Sequence, residues 1–138
     1  MNIVLIDTDV ILDFFFDRQP FSEQASMILI LCEKKIIQGF LTPVIISNVY
    51  YLLRKTATHE KVIKNLKKLM SIIDVAIINK ATVLEALNAD FKDFEDALQN
   101  FSAQNEKGIK VIITRNIKDY KSSKMSVMTP ETYLRSIQ

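Results

Sequence analysis

Acidic side chains follow the first apolar segment of the chain at short intervals. In the stretch NIVLIDTDVILDFFF, residues 2–16, a strand-like apolar segment leads into Asp7, and Asp9 and Asp13 come shortly after it. Three explanations fit acids at such a position: a cradle for a metal ion, an aspartate that accepts a phosphoryl group, and the N-cap of a helix. The first two would give the segment a chemical role, whereas the third is structural.

Two further polar groups occur where a fold could bring them close to Asp7. Asn116 and Asp119 come just after the apolar segment VIIT, and Asp93 and Asp96 begin the amphipathic segment DFEDALQNFSAQ. Because Asp93 and Asp96 are three residues apart, they share one face of a helix. Ligands of open parallel sheets bind outside the carboxyl ends of the strands, so we expect the three groups to meet there. Helix capping is the alternative explanation for Asp93 and Asp96.

Short β-rich segments alternate along the chain with amphipathic segments. Strands are predicted over residues 3–6, 39–41, 75–78, 111–113 and 127–128. Helices are predicted over residues 10–16, 22–34, 44–55, 60–73, 81–87, 94–106 and 131–137. Pro43 and Pro130 fit the first turn of a helix, and Gly108 fits a helix C-terminus. This alternation predicts one domain over residues 1–138, a three-layer α/β/α sandwich with a central parallel sheet of about five strands.

The composition excludes several classes of site. Of the 138 residues 49% are hydrophobic and 25% are charged, and the net charge is only +2. So small a net charge gives no overall attraction to nucleic acid or membranes, and any charged site must be local. The chain has only two glycines, which rules out glycine-rich phosphate loops. The single cysteine, Cys32, cannot build a disulfide framework or a multi-cysteine zinc site and is expected in the core.

The N-terminal region does not have the pattern of a secretion signal. It lacks a basic segment followed by a long apolar run and a small-residue cleavage site. No apolar segment reaches the roughly 18 residues that a membrane-spanning helix needs. We therefore expect a cytoplasmic protein without membrane contacts.

The phosphoryl-acceptor explanation of the first acids is disfavoured by the rest of the chain. A phosphatase of the haloacid-dehalogenase type needs a later acidic pair after a further strand, usually with a glycine nearby. Here the late acids begin a helix after Phe91, with no preceding strand and no glycine. A receiver domain needs an acceptor aspartate after its third strand, but the segment IIDVAIINK ends in Asn79 and Lys80.

Four segments, taken in order, resemble the PIN domain, a metal-dependent ribonuclease fold used by VapC-type toxins. They are LIDTDVILDFF, TPVIISNVYYLLRK, DFEDALQNFSA and IITRNIKDY, the last followed by a short strand, a proline and a final helix. The resemblance spans nearly the whole chain and is strongest to the branch with a tyrosine-rich third helix. It implies a central parallel sheet, a cluster of acids at its carboxyl edge, and one or two Mg²⁺ or Mn²⁺ ions.

The resemblance also implies roles for individual residues. Asn48 occupies the third-helix position that is usually a glutamate, and an amide offers an oxygen ligand but no charge. Asn116 matches a position with an acid or an amide, and Asp9 a position that is often asparagine; the direction in which Asp9 points stays open. The implied catalytic residues are Asp7, Asn48, Asp96 and Asp119. The implied metal ligands are Asp7, Asp9, Asp93, Asp96, Asn116 and Asp119.

The chemistry of these side chains favours a hard cation. Neighbouring carboxylates repel one another, which raises their pKa values and destabilises the fold unless a cation is present. The candidate ligands are all oxygens, and the only histidine, His59, stands alone in a polar segment. Mg²⁺ or Mn²⁺ is therefore favoured over Zn²⁺. Such an ion supports hydrolysis of phosphodiester bonds.

Substrate contacts are predicted near the same acids. Arg115 and Lys118 follow the fourth strand and are candidate phosphate contacts. Tyr50 and Tyr51 are candidates for stacking on a base, although at least one of them is expected to pack in the core. We expect a metal-dependent endoribonuclease acting on RNA, the toxin of a toxin–antitoxin pair, held as a homodimer and silenced by an antitoxin protein. The alternative is a catalytically weakened PIN domain that binds RNA or a protein, because Asn48 replaces the usual glutamate.

Overall fold

Five strands form one sheet within residues 2–138, the part of the chain that the computed structural model describes. The strands are β1 (Asn2–Ile6), β2 (Ile37–Leu41), β3 (Asp74–Val75), β4 (Val111–Ile113) and β5 (Ser126–Met128). Their order across the sheet is β3-β2-β1-β4-β5, and every pair is parallel. The predicted central parallel sheet is confirmed, and β1 lies at its centre.

Seven α-helices surround the sheet within the same residues. They are α1 (Thr8–Phe15), α2 (Ser22–Glu33), α3 (Pro43–Leu53), α4 (His59–Met70), α5 (Lys80–Leu87), α6 (Phe94–Asn105) and α7 (Pro130–Ser136). Pro43 and Pro130 occupy the first turns of α3 and α7, as expected, and the preceding threonines, Thr42 and Thr129, cap both helices. A 3-10 helix, Ile117–Tyr120, was not predicted. None of the described helices is long and apolar enough to cross a membrane.

Side chains of β1 alternate between two cores because successive residues of a strand point to opposite faces. Val4 and Ile6 pack in a cluster that includes apolar residues of α1, α2, α3 and α4. Leu5 packs on the other face with Ile112 and with Ala103 of α6. Helices therefore cover both faces of the sheet, and the predicted three-layer sandwich is confirmed. Cys32 is buried in the cluster of Val4 and Ile6, and its expected place in the core is confirmed.

The third strand is shorter than predicted. Residues 75–78 were expected to form it, but β3 covers only Asp74–Val75. The amide of Ala76 still donates to the carbonyl of Leu41 at 2.7 Å. The next carbonyl, that of Ile77, accepts from the hydroxyl of Ser102 in α6 at 2.8 Å. Helix α4 ends at Met70 rather than at residue 73, and the other predicted bounds differ by at most two residues.

Candidate active site

The carboxyl ends of β1 and β4 lie side by side at the centre of the sheet. Ile6 pairs with Ile113, and the amide of Asp7 donates to the Ile113 carbonyl at 2.9 Å. The sheet continues from β1 to β2 on one side and from β4 to β5 on the other. In open α/β sheets, ligands bind in the crevice where the strand order reverses in this way. The segments that follow β1 and β4 therefore border a natural binding site.

Asp7 caps α1 and also lines this crevice. Its Oδ1 accepts from the amide of Thr8 at 2.8 Å, and its Oδ2 accepts from the hydroxyl of Tyr120 at 3.1 Å. Burial, followed by repulsion from Asp9, raises the pKa of Asp7 to about 6 although both hydrogen bonds oppose the rise. Capping therefore explains the position of Asp7 but leaves a carboxylate that costs free energy to ionise.

Asp96 lies in the first turn of α6 and lines the same crevice as Asp7. Asp93 caps this helix, because its Oδ1 accepts from the amide of Asp96 at 3.1 Å. Burial raises the pKa of Asp96 to about 7, and the charge of Asp7 makes the next largest contribution. Smaller contributions come from Asp93, Asp119 and Glu95. The charge of the strand-end acid, Asp7, thus raises the pKa of the helix acid, Asp96.

Asn48 of α3 contacts an acid that the sequence analysis did not assign. Its Nδ2 donates to Oε2 of Glu95 at 2.9 Å. Asn48 and Glu95 both line the crevice, and Glu95 is exposed there. A carboxylate is therefore present beside Asn48, but it comes from α6 rather than from α3. The amide also avoids the repulsion that a glutamate at position 48 would meet from Glu95.

Asp9 points towards β4 rather than into solvent. Its Oδ2 accepts from the amide of Arg115 at 2.9 Å and from the hydroxyl of Thr114 at 3.4 Å. Its Oδ1 is buried and has no hydrogen-bond partner among the described residues. Burial raises the pKa of Asp9. An unpartnered buried oxygen of this kind costs on the order of 1–3 kcal/mol and can accept a water or a cation.

Five of the seven predicted catalytic and metal-binding residues line one open cleft of about 550 Å³, called the acid cleft below. Those that line it are Asp7, Asp9, Asn48, Asp96 and Asn116. A neighbouring cleft of about 430 Å³ is lined by Asp93, Asp96, Lys118 and Asp119. Asp96 borders both clefts, so the two sets of residues are adjacent.

Arg115 and Tyr50, predicted to contact substrate, line neither cleft. The guanidinium of Arg115 donates to both oxygens of the buried Asp13, at 2.6 Å from Nε and 3.1 Å from Nη2, and lies 4.0 Å from the centre of the Phe21 ring. The hydroxyl of Tyr50 is hydrogen-bonded to Nδ1 of His59 at 2.8 Å. The charge of Arg115 is therefore committed to Asp13, which favours a stabilising role for Arg115 over a phosphate contact.

Tyr120 is a second residue near the acids to which the sequence analysis gave no role. It belongs to the unpredicted 3-10 helix, is buried, and directly follows Asp119. Burial, followed by the charge of Asp7, raises the pKa of Tyr120 far above its usual range, so its hydroxyl stays protonated as a donor to Asp7. A tyrosine directly after a predicted site acid is the available sequence signal, but it does not reveal the contact with Asp7.

The oxygen donors of the acid cleft fit a small divalent cation. Within residues 2–138, no three Asp, Glu, His or Cys side chains form a ready metal-binding group. Mg²⁺, however, commonly uses one or two carboxylates and keeps several waters. The cleft offers Asp7 and Asp96, together with the amide side chains of Asn48 and Asn116. A positive charge would offset the features that raise the pKa values of Asp7 and Asp96.

Two comparisons with known proteins each match most of the sequence. A family model of the PIN domain matches residues 3–118. The protein is similar to Ribonuclease VapC1 of Aquifex aeolicus (strain VF5), with 31% identity over 138 residues. That match covers 94% of this chain and 92% of the relative.

Solved structures resemble the fold at lower sequence identity. A chain of a toxin–antitoxin complex from Klebsiella pneumoniae has a TM-score of 0.69 and 22% identity, covering 92% of this chain and 97% of that chain. A chain of VapBC-1 from nontypeable Haemophilus influenzae has a TM-score of 0.66 and 12% identity, covering 94% and 98%. VapC20 of Mycobacterium tuberculosis, described as a toxin that cleaves the sarcin–ricin loop, has a TM-score of 0.59 and 16% identity, covering 79% and 86%. Because the family model and the Aquifex relative both match most of the sequence, this chain belongs to the PIN domain family.

Proposed function

We propose that this protein is a metal-dependent endoribonuclease that hydrolyses phosphodiester bonds of cytoplasmic RNA. The observation that carries the proposal is that Asp7 and Asp96 both line the acid cleft and both have raised pKa values. Burial and then Asp9 raise the pKa of Asp7, and burial and then Asp7 raise the pKa of Asp96. The similarity to a ribonuclease over 94% of the chain supports the choice of RNA as substrate. Mg²⁺ or Mn²⁺ suits the oxygen donors of the cleft.

The roles we assign follow from the positions of the side chains. Asp7 and Asp96 would hold the cation, and the side-chain oxygens of Asn48 and Asn116 would be further ligands. When bound, a divalent cation supplies positive charge beside the phosphodiester and lowers the pKa of a water. Tyr120 keeps Asp7 in place through the 3.1 Å hydrogen bond to Oδ2.

Four further residues belong to the outer part of the proposed site. Asp9, with its unpartnered Oδ1, lies in the acid cleft and is the next candidate ligand. Asp93, Lys118 and Asp119 line the neighbouring cleft. We assign Asp93 to capping of α6, Asp119 to the electrostatic field at Asp96, and Lys118 to a phosphate of the bound strand.

Metal dependence can be tested without measuring activity. Titration of the purified protein with MnCl₂ or MgCl₂ should raise its melting temperature, because binding to the folded state alone stabilises it by about 2.7 kcal/mol at a hundredfold excess over Kd. Asp7→Asn should respond much less. Asp74→Asn, which changes an exposed acid of β3 outside both clefts, is the matched control and should respond like wild type.

Cleavage is the second arm of the experiment. Incubation with several RNAs should give products with Mn²⁺ and none with EDTA, and Asp7→Asn should lower the rate roughly a hundredfold or more. Cleavage that survives in EDTA and in the Asp7→Asn, Asp96→Asn double variant would disprove the assignment. No melting shift at millimolar metal would disprove the cation site.

We further propose that the protein is the toxin of a toxin–antitoxin pair and forms a homodimer. Structural neighbours include chains of toxin–antitoxin complexes, among them VapBC-1. Exposed apolar side chains on α1 and α2, namely Phe14, Met27 and Ile30, offer surface for protein contacts. Expression alone should arrest growth of the host, and co-expression with a small protein from an adjacent reading frame should relieve it. Light scattering of the purified protein tests the dimer.

A second candidate is a PIN domain that binds RNA without cutting it. Asn48 in place of the usual glutamate favours this function. An amide adds no charge to a site in which Asp7 and Asp96 are the two carboxylates assigned to the cation. RNA binding with no cleavage at any metal concentration would support it. Cleavage that is abolished by Asp7→Asn would exclude it.

A further inference from the structure

The lining of the acid cleft includes an aromatic side chain and two cations that the proposed chemistry does not use. Tyr51, near the end of α3, lines the cleft, and 67% of its surface is exposed. Lys55 lies just beyond the same helix, and Arg18 lies in the connection between α1 and α2. Lys55 and Arg18 both line the cleft with Asp7 and Asp96. A large exposed aromatic ring beside cations is the composition of single-strand nucleic-acid sites.

The surroundings of Tyr51 brace its ring. Tyr50 packs against it edge to face, with ring centres 5.2 Å apart and planes at 84°. Tyr50 is itself fixed by the 2.8 Å hydrogen bond between its hydroxyl and Nδ1 of His59, whose ring lies 5.7 Å away. The ring of Tyr51 thus contacts Tyr50 while most of its surface stays exposed, and it lines the acid cleft. A braced ring loses little conformational entropy when a base stacks on it.

Arg18 is also held in place. Its Nη1 lies 3.6 Å from Oδ1 of Asp13, and its guanidinium lies 5.3 Å from the centre of the Phe16 ring. The side chain of Arg18 is 42% exposed, whereas that of Arg115 is 27% exposed. Arg18 therefore offers directed donors to a phosphate, and the exposed Lys55 supplies a second positive charge.

We propose that Tyr51 is a base-stacking residue and that Arg18 and Lys55 contact the flanking phosphates, so that the acid cleft accepts an unpaired nucleotide of single-stranded RNA. The proposal rests on the ribonuclease function and assigns its substrate subsite. A paired base exposes only its edges, whereas an unpaired base presents a face to an aromatic ring. Stacking tolerates all four bases, so Tyr51 determines the single-strand preference rather than the sequence.

Binding can be measured without cleavage in EDTA, by the fluorescence anisotropy of a labelled ten-nucleotide RNA of mixed sequence. Tyr51→Ala should weaken binding by roughly 5- to 100-fold, whereas Tyr51→Phe should keep most of the affinity because the ring remains. The melting temperature of Tyr51→Ala should be unchanged, because the ring is largely exposed. Phe94→Ala, which removes another exposed aromatic ring that lines neither cleft, should bind RNA like wild type.

The contribution of the cations to RNA binding can be measured separately through its dependence on salt concentration. Lys55→Gln should lower affinity and reduce the slope of log K against log salt by about 0.7, the value for one phosphate contact on a single strand. Lys107→Gln is the matched control, because Lys107 is exposed and precedes β4 at the opposite edge of the sheet. With a fully paired RNA duplex as probe, Tyr51→Ala and wild type should bind equally.

Two outcomes would overturn the proposal. If Tyr51→Ala binds the single strand as wild type does, Tyr51 is not a stacking residue, and cleavage by wild type would leave the ribonuclease function intact. If Tyr51→Phe loses as much affinity as Tyr51→Ala, the hydroxyl rather than the ring makes the contact. Wild type that neither binds nor cleaves RNA would overturn both the subsite and the ribonuclease function.

Discussion

Replacing Asp96 by asparagine should stabilise the metal-free protein at alkaline pH. The pKa of Asp96 is raised from its usual value of 3.8 to about 7, first by burial and then by Asp7. Without solvent screening, such a rise in pKa would lower the free energy of unfolding by roughly 4 kcal/mol. Because the carboxyl group is only half-buried and coupled to Asp7, solvent screening reduces this to about 1–2 kcal/mol.

The dependence on pH follows from which state binds the proton. Between about pH 4 and pH 7 the folded state keeps a proton on Asp96 that the unfolded state has lost. The free energy of unfolding therefore falls as pH rises through this window, and the full cost is present above pH 7. Asp7, with a pKa of about 6, acts in the same direction. Asparagine at position 96 carries no charge, so the variant avoids the part of this destabilisation that ionised Asp96 causes.

Thermal unfolding in EDTA, monitored by circular dichroism at pH 5 and pH 8, tests this reasoning. At pH 8 Asp96→Asn should melt roughly 3–8 °C above wild type, since about 1 kcal/mol shifts the melting temperature of a chain of this size by a few degrees. At pH 5 the difference should be smaller, and Asp74→Asn should match wild type at both values. An Asp96→Asn variant that melts below wild type at pH 8 would refute the electrostatic account of the site.

Three other substitutions test individual contacts. Arg115→Ala leaves the buried Asp13 without its two hydrogen bonds and should cost about 3–5 kcal/mol in urea unfolding, whereas a phosphate-binding arginine would leave stability unchanged. Asn48→Glu places a carboxylate against Glu95 and should lower the melting temperature in EDTA while raising Mn²⁺ affinity in calorimetry; a metal affinity equal to wild type would count against a cation beside residue 48. Tyr120→Phe removes the hydrogen bond that opposes the rise in the pKa of Asp7, so the pH midpoint of Mn²⁺ binding should move upwards, and an unchanged midpoint would contradict the contact.

Local patterns in the sequence determined the fold class and the positions of the main acids. An apolar segment that ends at Asp7, prolines at the starts of α3 and α7, and the pair Asp93 and Asp96 are features of neighbouring residues. Strand and helix periodicity depends on the nearest few positions, so it is readable without the fold. The meeting of the polar groups at one edge of the sheet was expected because the carboxyl ends of parallel strands share that edge. The pairing of β1 with β4 was not predicted.

The contacts that tune these acids were decided only by the tertiary structure. Tyr120 reaches Asp7 across 113 positions of sequence, Arg115 pairs with Asp13 across 102, and Asn48 meets Glu95 across 47. Such pairings depend on strand order, on helix rotation and on which oxygen faces which donor, and no local pattern carries that information. Residue type alone predicts that an arginine carries positive charge. Only packing decides whether that charge pairs with a phosphate or with a buried carboxylate.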